Sequence, residues 1–162
     1  MNHSNDTFFN QDDAIVAADK LAAVDALYRY AAGIDQRDPG LMASALAVDA
    51  VSDFRPAAAK AGFDYPVLQG REVIAGALAT SLSSVDTTHT VSNARVTIDA
   101  GNARIDALVE AQHVPRSDPS KHYLMKNRYD VALVREGKAW VIQHVVVDNV
   151  WRSGDPAVLA GI

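Results

Sequence analysis

The spacing of apolar residues changes once along this chain, and that change constrains the fold more than any other feature. Before residue 88, apolar residues recur at intervals of three and four, as on one face of a helix. From residue 88 onward they alternate with polar residues, as in strands that bury one face. Helices that precede a run of antiparallel strands indicate an α+β fold, with the helices segregated to one face of the sheet.

Three helices are predicted in the first half of the chain. The first begins near Asn10 and closes near Gly33, a residue type that fits a helix end. Asp38 and Pro39 have the residue types of an N-cap and a first-turn proline, so they predict a short second helix. The third predicted helix covers residues 70–82, where apolar residues again recur at helical spacing.

The strands are predicted mainly in the second half of the chain. Two short candidates precede the change of period, and four long segments follow it, with turn signals between neighbours. Residues 55–66 contain two prolines, a glycine and an alanine run, and are predicted to form a loop. The predicted strands cover residues 50–54, 67–69, 88–98, 103–114, 122–135 and 139–151.

A chain of 162 residues is expected to form one domain with a substantial core. We expect that domain to cover residues 11–152, after a polar lead-in, residues 1–10, whose Phe8 and Phe9 contact the body. Residues 153–162 are expected to form a short tail with no structural signal of its own. A strongly bent sheet with three helices across its mouth would form a cone that encloses one apolar pocket.

Composition excludes several classes of function. The net charge of −5 and the lack of a basic cluster argue against nucleic-acid binding, and the absence of cysteine excludes disulfides and thiolate chemistry. No apolar run is long enough to span a membrane, and the N-terminus lacks the features of a signal peptide, so a cytoplasmic location is expected. Closely spaced histidine ligands and glycine-rich phosphate loops are also missing, so neither a metal nor a cofactor is predicted.

Asp35 is the first candidate site residue, because it lies at the end of an apolar helix face where acids rarely serve packing. It could orient a histidine by accepting a hydrogen bond from the imidazole, which makes the opposite ring nitrogen a better base. The alternative is a loop acid that caps the next helix together with Asp38. Spacing alone favours this structural role.

His89 is the second candidate, at the start of a strand and flanked by threonines. An imidazole suits a general base that must be unprotonated at neutral pH. Alternatively, His89 is a strand-end histidine satisfied by a backbone carbonyl. Asn93 and Arg95 share its strand face at the two-residue period, and are either pocket groups or surface residues.

Other polar residues interrupt apolar stripes on the later strands. His113 ends the face of the second long strand, where it is either a core residue or a second acid–base group. Asn127 lies within the apolar stripe of the next strand, as a structural or substrate-orienting amide. The last strand has His144 on one face and Asn149 on the other. Tyr28, Tyr30 and Tyr65 are possible phenol donors or partly buried core aromatics.

The order of four motifs resembles the SnoaL-like branch of the NTF2-like superfamily. These motifs are Tyr28-Arg-Tyr-Ala-Ala-Gly-Ile-Asp35, Gly70-Arg-Glu-Val-Ile, Thr88-His-Thr-Val-Ser-Asn93 and Gly137-Lys-Ala-Trp140. The branch includes scytalone dehydratase, a hexachlorocyclohexane dehydrochlorinase and a bile-acid 7α-dehydratase, and the resemblance covers roughly residues 10–152. It implies a cone-shaped barrel that often forms dimers or trimers through the sheet.

The resemblance also implies roles for individual residues. The Asp–His dyad of the family's lyases would fall on Asp35 and His89, and a tyrosine of the dehydratases would fall on Tyr30. A second acid–base residue would fall near His113. The position of the dehydrochlorinase's strand arginine is Val145 here, which argues against dehydrochlorination itself.

These considerations predict a cofactor-independent lyase that acts on a small, largely apolar cyclic molecule. His89 would remove a carbon-bound proton, while Tyr30 or His113 would protonate the leaving hydroxyl or stabilise an enolate. Tyr28, Asn93, Asn127, Val145 and Asn149 are expected to contact the substrate. Alternatives are an isomerase or polyketide-cyclase-like enzyme that enolises without elimination, and a non-catalytic binding module of the same fold.

Overall fold

A computed structural model of the chain describes residues 10–159, so the predicted lead-in, apart from Asn10, lies outside the described residues, as do residues 160–162. The described part contains four helices, six strands and a final 3-10 turn. The helices are α1 (Gln11–Asp35), α2 (Pro39–Ser44), α3 (Arg55–Ala61) and α4 (Arg71–Ser81). The 3-10 turn covers Pro156–Leu159.

The six strands form one sheet in the order β2-β1-β6-β5-β4-β3. The strands β1 and β6 pair in parallel, and all other neighbours pair antiparallel, as expected when consecutive long strands are joined by short turns. The sheet does not close, because β2 and β3 remain its two edges. The strands are β1 (Leu46–Asp53), β2 (Leu68–Gln69), β3 (Val85–Asp99), β4 (Asn102–Pro115), β5 (Tyr123–Glu136) and β6 (Ala139–Gly154).

This architecture confirms the predicted α+β fold, with helices packed on a curved, mainly antiparallel sheet. Alternating residues on β4, β5 and β6 point inward, and they form one apolar core with α1, α2 and α4. Fully buried members of this core include Leu27, Leu46, Ile74, Ile105 and Trp140. Within residues 10–159, no helix combines the length and the apolarity needed to cross a membrane.

The first two helices begin where the sequence predicts. The side chain of Asn10 accepts a hydrogen bond from the backbone N–H of Asp13, and the carboxylate of Asp13 accepts one from the backbone N–H of Asn10. Asp38 caps α2 through the backbone N–H of Leu41, with Pro39 in the first turn. These caps satisfy backbone donors that would otherwise have no partner at a helix start.

Gly33 is not a helix end, because α1 continues to Asp35. A Cβ at position 33 would lie 2.5 Å from the backbone N of Met42 and 2.7 Å from its Cα. The glycine therefore lets α1 and α2 approach closely. This contact fixes the last turn of α1, which ends on Asp35.

The prediction of a loop over residues 55–66 is wrong for its first half, where α3 forms a fourth helix. Pro56 lies in the first turn, and Gly62 follows the helix with a left-handed φ of 89°. A proline at the start and a glycine just past the end are typical of a helix. Lys60 attaches α3 to β6 by contacts with the Asp148 carboxylate (2.6 Å) and the carbonyl of Asn149 (2.8 Å).

Candidate active site

Asp35 and His89 meet at the junction of α1 and β3. His89 Nδ1 lies 2.6 Å from Asp35 Oδ1, and the backbone N–H of His89 donates to Asp35 Oδ2 at 2.7 Å. The carboxylate thus contacts both the ring and the backbone of the same residue. This pairing fixes the orientation of the imidazole relative to α1.

The contact with Asp35 determines which nitrogen of His89 carries the proton. An ionised carboxylate can only accept hydrogen bonds, so Nδ1 is the protonated nitrogen of the neutral ring. Nε2 is then unprotonated and has a free lone pair. His89 also lines the apolar pocket described below. An imidazole that a partner acid holds in one tautomer is chemically able to act as a general base.

Asp35 remains ionised at neutral pH in this setting. Burial raises the pKa of Asp35. The hydrogen bonds and charge of His89, together with the hydroxyl of Thr87, lower that pKa by more than burial raises it. The resulting pKa lies below the usual 3.8. A carboxylate that is partly buried yet charged stabilises the imidazolium that forms when His89 accepts a proton.

His113 belongs to β4, lies beside His89 of the neighbouring β3, and is almost completely buried. Its ring meets that of His89 edge to face, with the centroids 6.2 Å apart, and its Nδ1 donates to the carbonyl of Tyr123 at 3.1 Å. Burial, and then the charge of His89, lower the pKa of His113 to about 4. At neutral pH His113 is therefore a neutral ring whose Nε2 can accept a hydrogen bond but has no proton to donate.

The low pKa of His113 predicts that stability falls on acidification. An unfolded chain binds this proton near pH 6.5, whereas the folded protein does so near pH 4. Stability from this group is therefore complete above about pH 6.5 and is lost as the pH falls toward 4, by on the order of 3 kcal/mol. Urea denaturation at pH 7 and pH 5 should show a loss that is about 1–2 kcal/mol larger for the native protein than for His113→Gln. Equal losses would contradict the buried, neutral state of His113.

The two histidines line a mostly apolar cavity of about 230 Å³. An apolar cavity of roughly 150 Å³ is enough to bind benzene, so this one fits a ring with a few substituents. None of the described lining residues is Lys or Arg, so the wall offers no cationic side chain to an anionic ligand. The lining consists of Ile34, Phe54, Ala57, Ala58, Phe63, Asp64, Tyr65, Leu78, Ser81, Leu82, His89, Ala111, His113, Met125, Asn127, Tyr129, Val147 and Leu159.

Asn127 places an amide in this wall, and Asn149 supports it from the neighbouring strand. The two residues are cross-strand partners, and Asn149 Nδ2 donates to Asn127 Oδ1 at 2.9 Å. Asn149 also donates to the carbonyl of Trp151 at 3.0 Å and lies outside the pocket lining. Because the Asn127 oxygen is occupied, its Nδ2–H groups are the donors that this residue can offer to a ligand.

The predicted tyrosines of α1 are not among the residues that line the pocket. Tyr28 is 45% exposed on the outer side of the helix. Tyr30 is buried in the core, and its hydroxyl finds no hydrogen-bond partner among the described residues. Tyr30 could share the site with Asp35 only if the helix unwound near Gly33, and α1 stays helical there. The structure therefore does not bring either tyrosine to His89.

Three further predicted positions also lie outside the pocket lining. Asn93 is exposed and has a left-handed φ of 54°, at a β-bulge between Ser92 and Arg95. The bulge breaks the two-residue alternation that would have placed Asn93 and Arg95 on the face of His89. Val145 is completely buried in the core.

Several lining residues were missed because they come from segments with weak sequence signals. Phe63 follows the unexpected α3, and Leu159 belongs to the tail for which no structure was predicted. Tyr65, predicted as a possible phenol donor or core aromatic, does line the pocket. Tyr129 could have been found, since it shares the inward face of β5 with Asn127. Among residues 10–159, no group of three or more His, Asp or Glu side chains is placed to hold a metal ion.

The fold agrees with what comparison with known proteins shows. The SnoaL-like domain family matches residues 16–146, so the chain belongs to that family, within the NTF2-like superfamily. The resemblance inferred from the sequence motifs is thereby confirmed.

Individual relatives support the same assignment. The terrestric acid biosynthesis cluster protein E of Penicillium crustosum is 29% identical over 148 residues, which cover 87% of this chain and 89% of that protein. The Kfla4162 protein of Kribbella flavida superimposes with a TM-score of 0.80 at 21% identity, covering 90% and 99% of the two chains. A type 3 hexachlorocyclohexane dehydrochlorinase of Novosphingobium barchaimii gives 0.71 at 18% identity, covering 88% and 93%. The last two are similar in fold.

Proposed function

We propose that the protein is a cofactor-independent lyase of the dehydratase type, acting on a small, neutral cyclic substrate. The observation that supports this most directly is the 2.6 Å contact between Asp35 and His89 at an apolar pocket. A base held in one tautomer, in a mostly apolar pocket, can remove a proton from carbon when that carbon is next to a carbonyl.

The donors and acceptors of the wall suggest which substrate groups bind where. Asn127 offers amide hydrogens, which suit a ketone oxygen that gains negative charge as an enolate forms. His113 offers an unprotonated Nε2, which suits the hydrogen of a hydroxyl group. A neutral ring that bears a ketone and a β-hydroxyl group satisfies both, and its ring carbons match the apolar lining.

In this scheme His89 both removes and returns the proton. Nε2 takes the proton from the α-carbon, the C–H electrons form the enolate, and Asp35 stabilises the imidazolium. When the enolate collapses, the C–O bond at the β-carbon breaks and the hydroxide leaves with the proton from Nε2 as water. Neutral His113 cannot supply that proton, and Tyr30 is outside the pocket, so neither is assigned the role of general acid.

The relatives support a role in metabolism of this kind. One relative is a biosynthesis cluster protein, and one structural neighbour is a dehydrochlorinase, an enzyme whose name denotes an elimination. Elimination and enolisation share the first step, removal of a proton from carbon. The two reactions can therefore be told apart only by identifying their products.

Incubation in D₂O with a panel of neutral cyclic β-hydroxy ketones tests the proposal. We expect at least one panel member to lose water and form the conjugated enone, detected by mass spectrometry and ultraviolet absorbance. The His89→Gln variant should react roughly 10²–10⁴-fold more slowly. Deuterium uptake at the α-carbon without loss of water would overturn elimination in favour of an isomerase. Ligands that bind the pocket but neither exchange nor react would contradict catalysis altogether.

A further inference from the structure

Thr87 makes a contact with the Asp35–His89 pair that the proposed chemistry does not yet use. It lies two residues before His89 on β3, so the two side chains share the face that meets the end of α1. Its hydroxyl donates to Asp35 Oδ1 at 2.9 Å. It is also the cross-strand partner of His113, and so lies between the acid and the second histidine.

The carboxylate of Asp35 receives three donors in an unequal arrangement. Oδ2 accepts the backbone N–H of His89, whereas Oδ1 accepts both His89 Nδ1 and the Thr87 hydroxyl. Thr87 therefore shares the one oxygen that holds the imidazole. A second donor on that oxygen fixes the plane of the carboxylate and withdraws electron density from its contact with the ring.

We propose that Thr87 is a positioning residue that moderates how strongly Asp35 engages His89. Its β-branched side chain is held by the strand, so its hydroxyl keeps the carboxylate in the orientation that suits Nδ1. Without this hydroxyl, Oδ1 has more electron density for the imidazole, and the protonated ring is stabilised. Any consequence of this contact for catalysis rests on the proposed function, whereas its influence on the Asp35–His89 contact does not.

The test compares Thr87→Val with Thr87→Ser, and uses Thr88→Val as the matched control. Valine keeps the branched shape without the hydroxyl, and serine restores the hydroxyl. Thr88 is exposed on the opposite face of β3. The readout is the NMR titration of the His89 ring protons in the full-length protein, assigned with the help of His113→Gln. The other titratable groups near the His89 ring are Asp35, His113 and Tyr129.

Thr87→Val is expected to move the midpoint of the His89 titration upward, because Asp35 Oδ1 then interacts more strongly with the protonated ring. Thr87→Ser should return most of that shift, and Thr88→Val should show none. An unchanged midpoint in a folded Thr87→Val protein overturns the proposal. If that variant does not fold, Thr87→Ala gives the same comparison. Because no substrate is needed, this result is independent of whether the protein is a lyase.

Discussion

Replacing His89 by glutamine is expected to lower the turnover number by roughly 10²–10⁴-fold, the typical contribution of a general base. Glutamine retains a side-chain N–H that can reach Asp35, but its amide has no lone pair of comparable basicity. The substrate should therefore still bind, with a Michaelis constant close to that of the native protein. Steady-state kinetics on any substrate found in the panel measures both quantities.

Asp35→Asn provides the companion measurement for this prediction. An asparagine at position 35 can no longer stabilise an imidazolium by charge, so turnover should also fall strongly. Because the two residues act as a unit, the double variant should be little worse than His89→Gln alone. Thermal unfolding of each variant separates loss of chemistry from loss of fold. Full activity of folded His89→Gln would rule out His89 as the base.

Replacing Gly33 by alanine is expected to destabilise the protein by about 2–3 kcal/mol, at the upper end of the usual cost of overpacking. The added Cβ would lie 2.5 Å from the backbone N of Met42, which cannot move aside as a flexible side chain could. The helices α1 and α2 would have to separate. Urea denaturation monitored by circular dichroism measures the change in the free energy of unfolding.

Gly76→Ala is the matched control for Gly33→Ala. It also lies within a helix, but a Cβ there would meet nothing within 4 Å. Alanine should therefore stabilise α4 by about 0.5–1 kcal/mol through its better helix propensity. Equal effects of the two substitutions would contradict the close α1–α2 contact.

The elements of this fold were predictable where periodicity extends over many residues. The four long strands and the first helix carry ten or more residues in phase, and all were predicted within a few residues of their ends. Short α3 has no such repeat, and its Pro56 and Gly62 indicate a loop as readily as a helix start and end. The bulge at Asn93 inserts one residue into the pairing of β3 with β4, and the alternating pattern of the sequence does not reveal it.

The candidate site was predictable only in part, for a related reason. Asp35 and His89 are 54 residues apart, so local patterns cannot show that they touch, and spacing alone favoured a capping role for Asp35. Family resemblance suggested the pair, and their 2.6 Å contact is a matter of tertiary structure. His113 and Asn127 were found because each interrupts an apolar stripe that faces the core. Tyr30 was suggested by the resemblance, but both Tyr28 and Tyr30 lie outside the pocket lining, because helical phase decides which side chains face the pocket.

The origin of the pocket wall has a consequence for how such a protein can diversify. The Asp35–His89 corner is built from α1 and β3, two long elements anchored in the core. Part of the pocket wall comes from short peripheral segments, with Phe63 and Tyr65 after α3 and Leu159 in the 3-10 turn. Changes in those segments alter the shape of the cavity while the proton-transfer geometry stays the same. Descendants of one ancestral sequence could thus acquire new ligands by remodelling surface segments, with the reaction inherited intact.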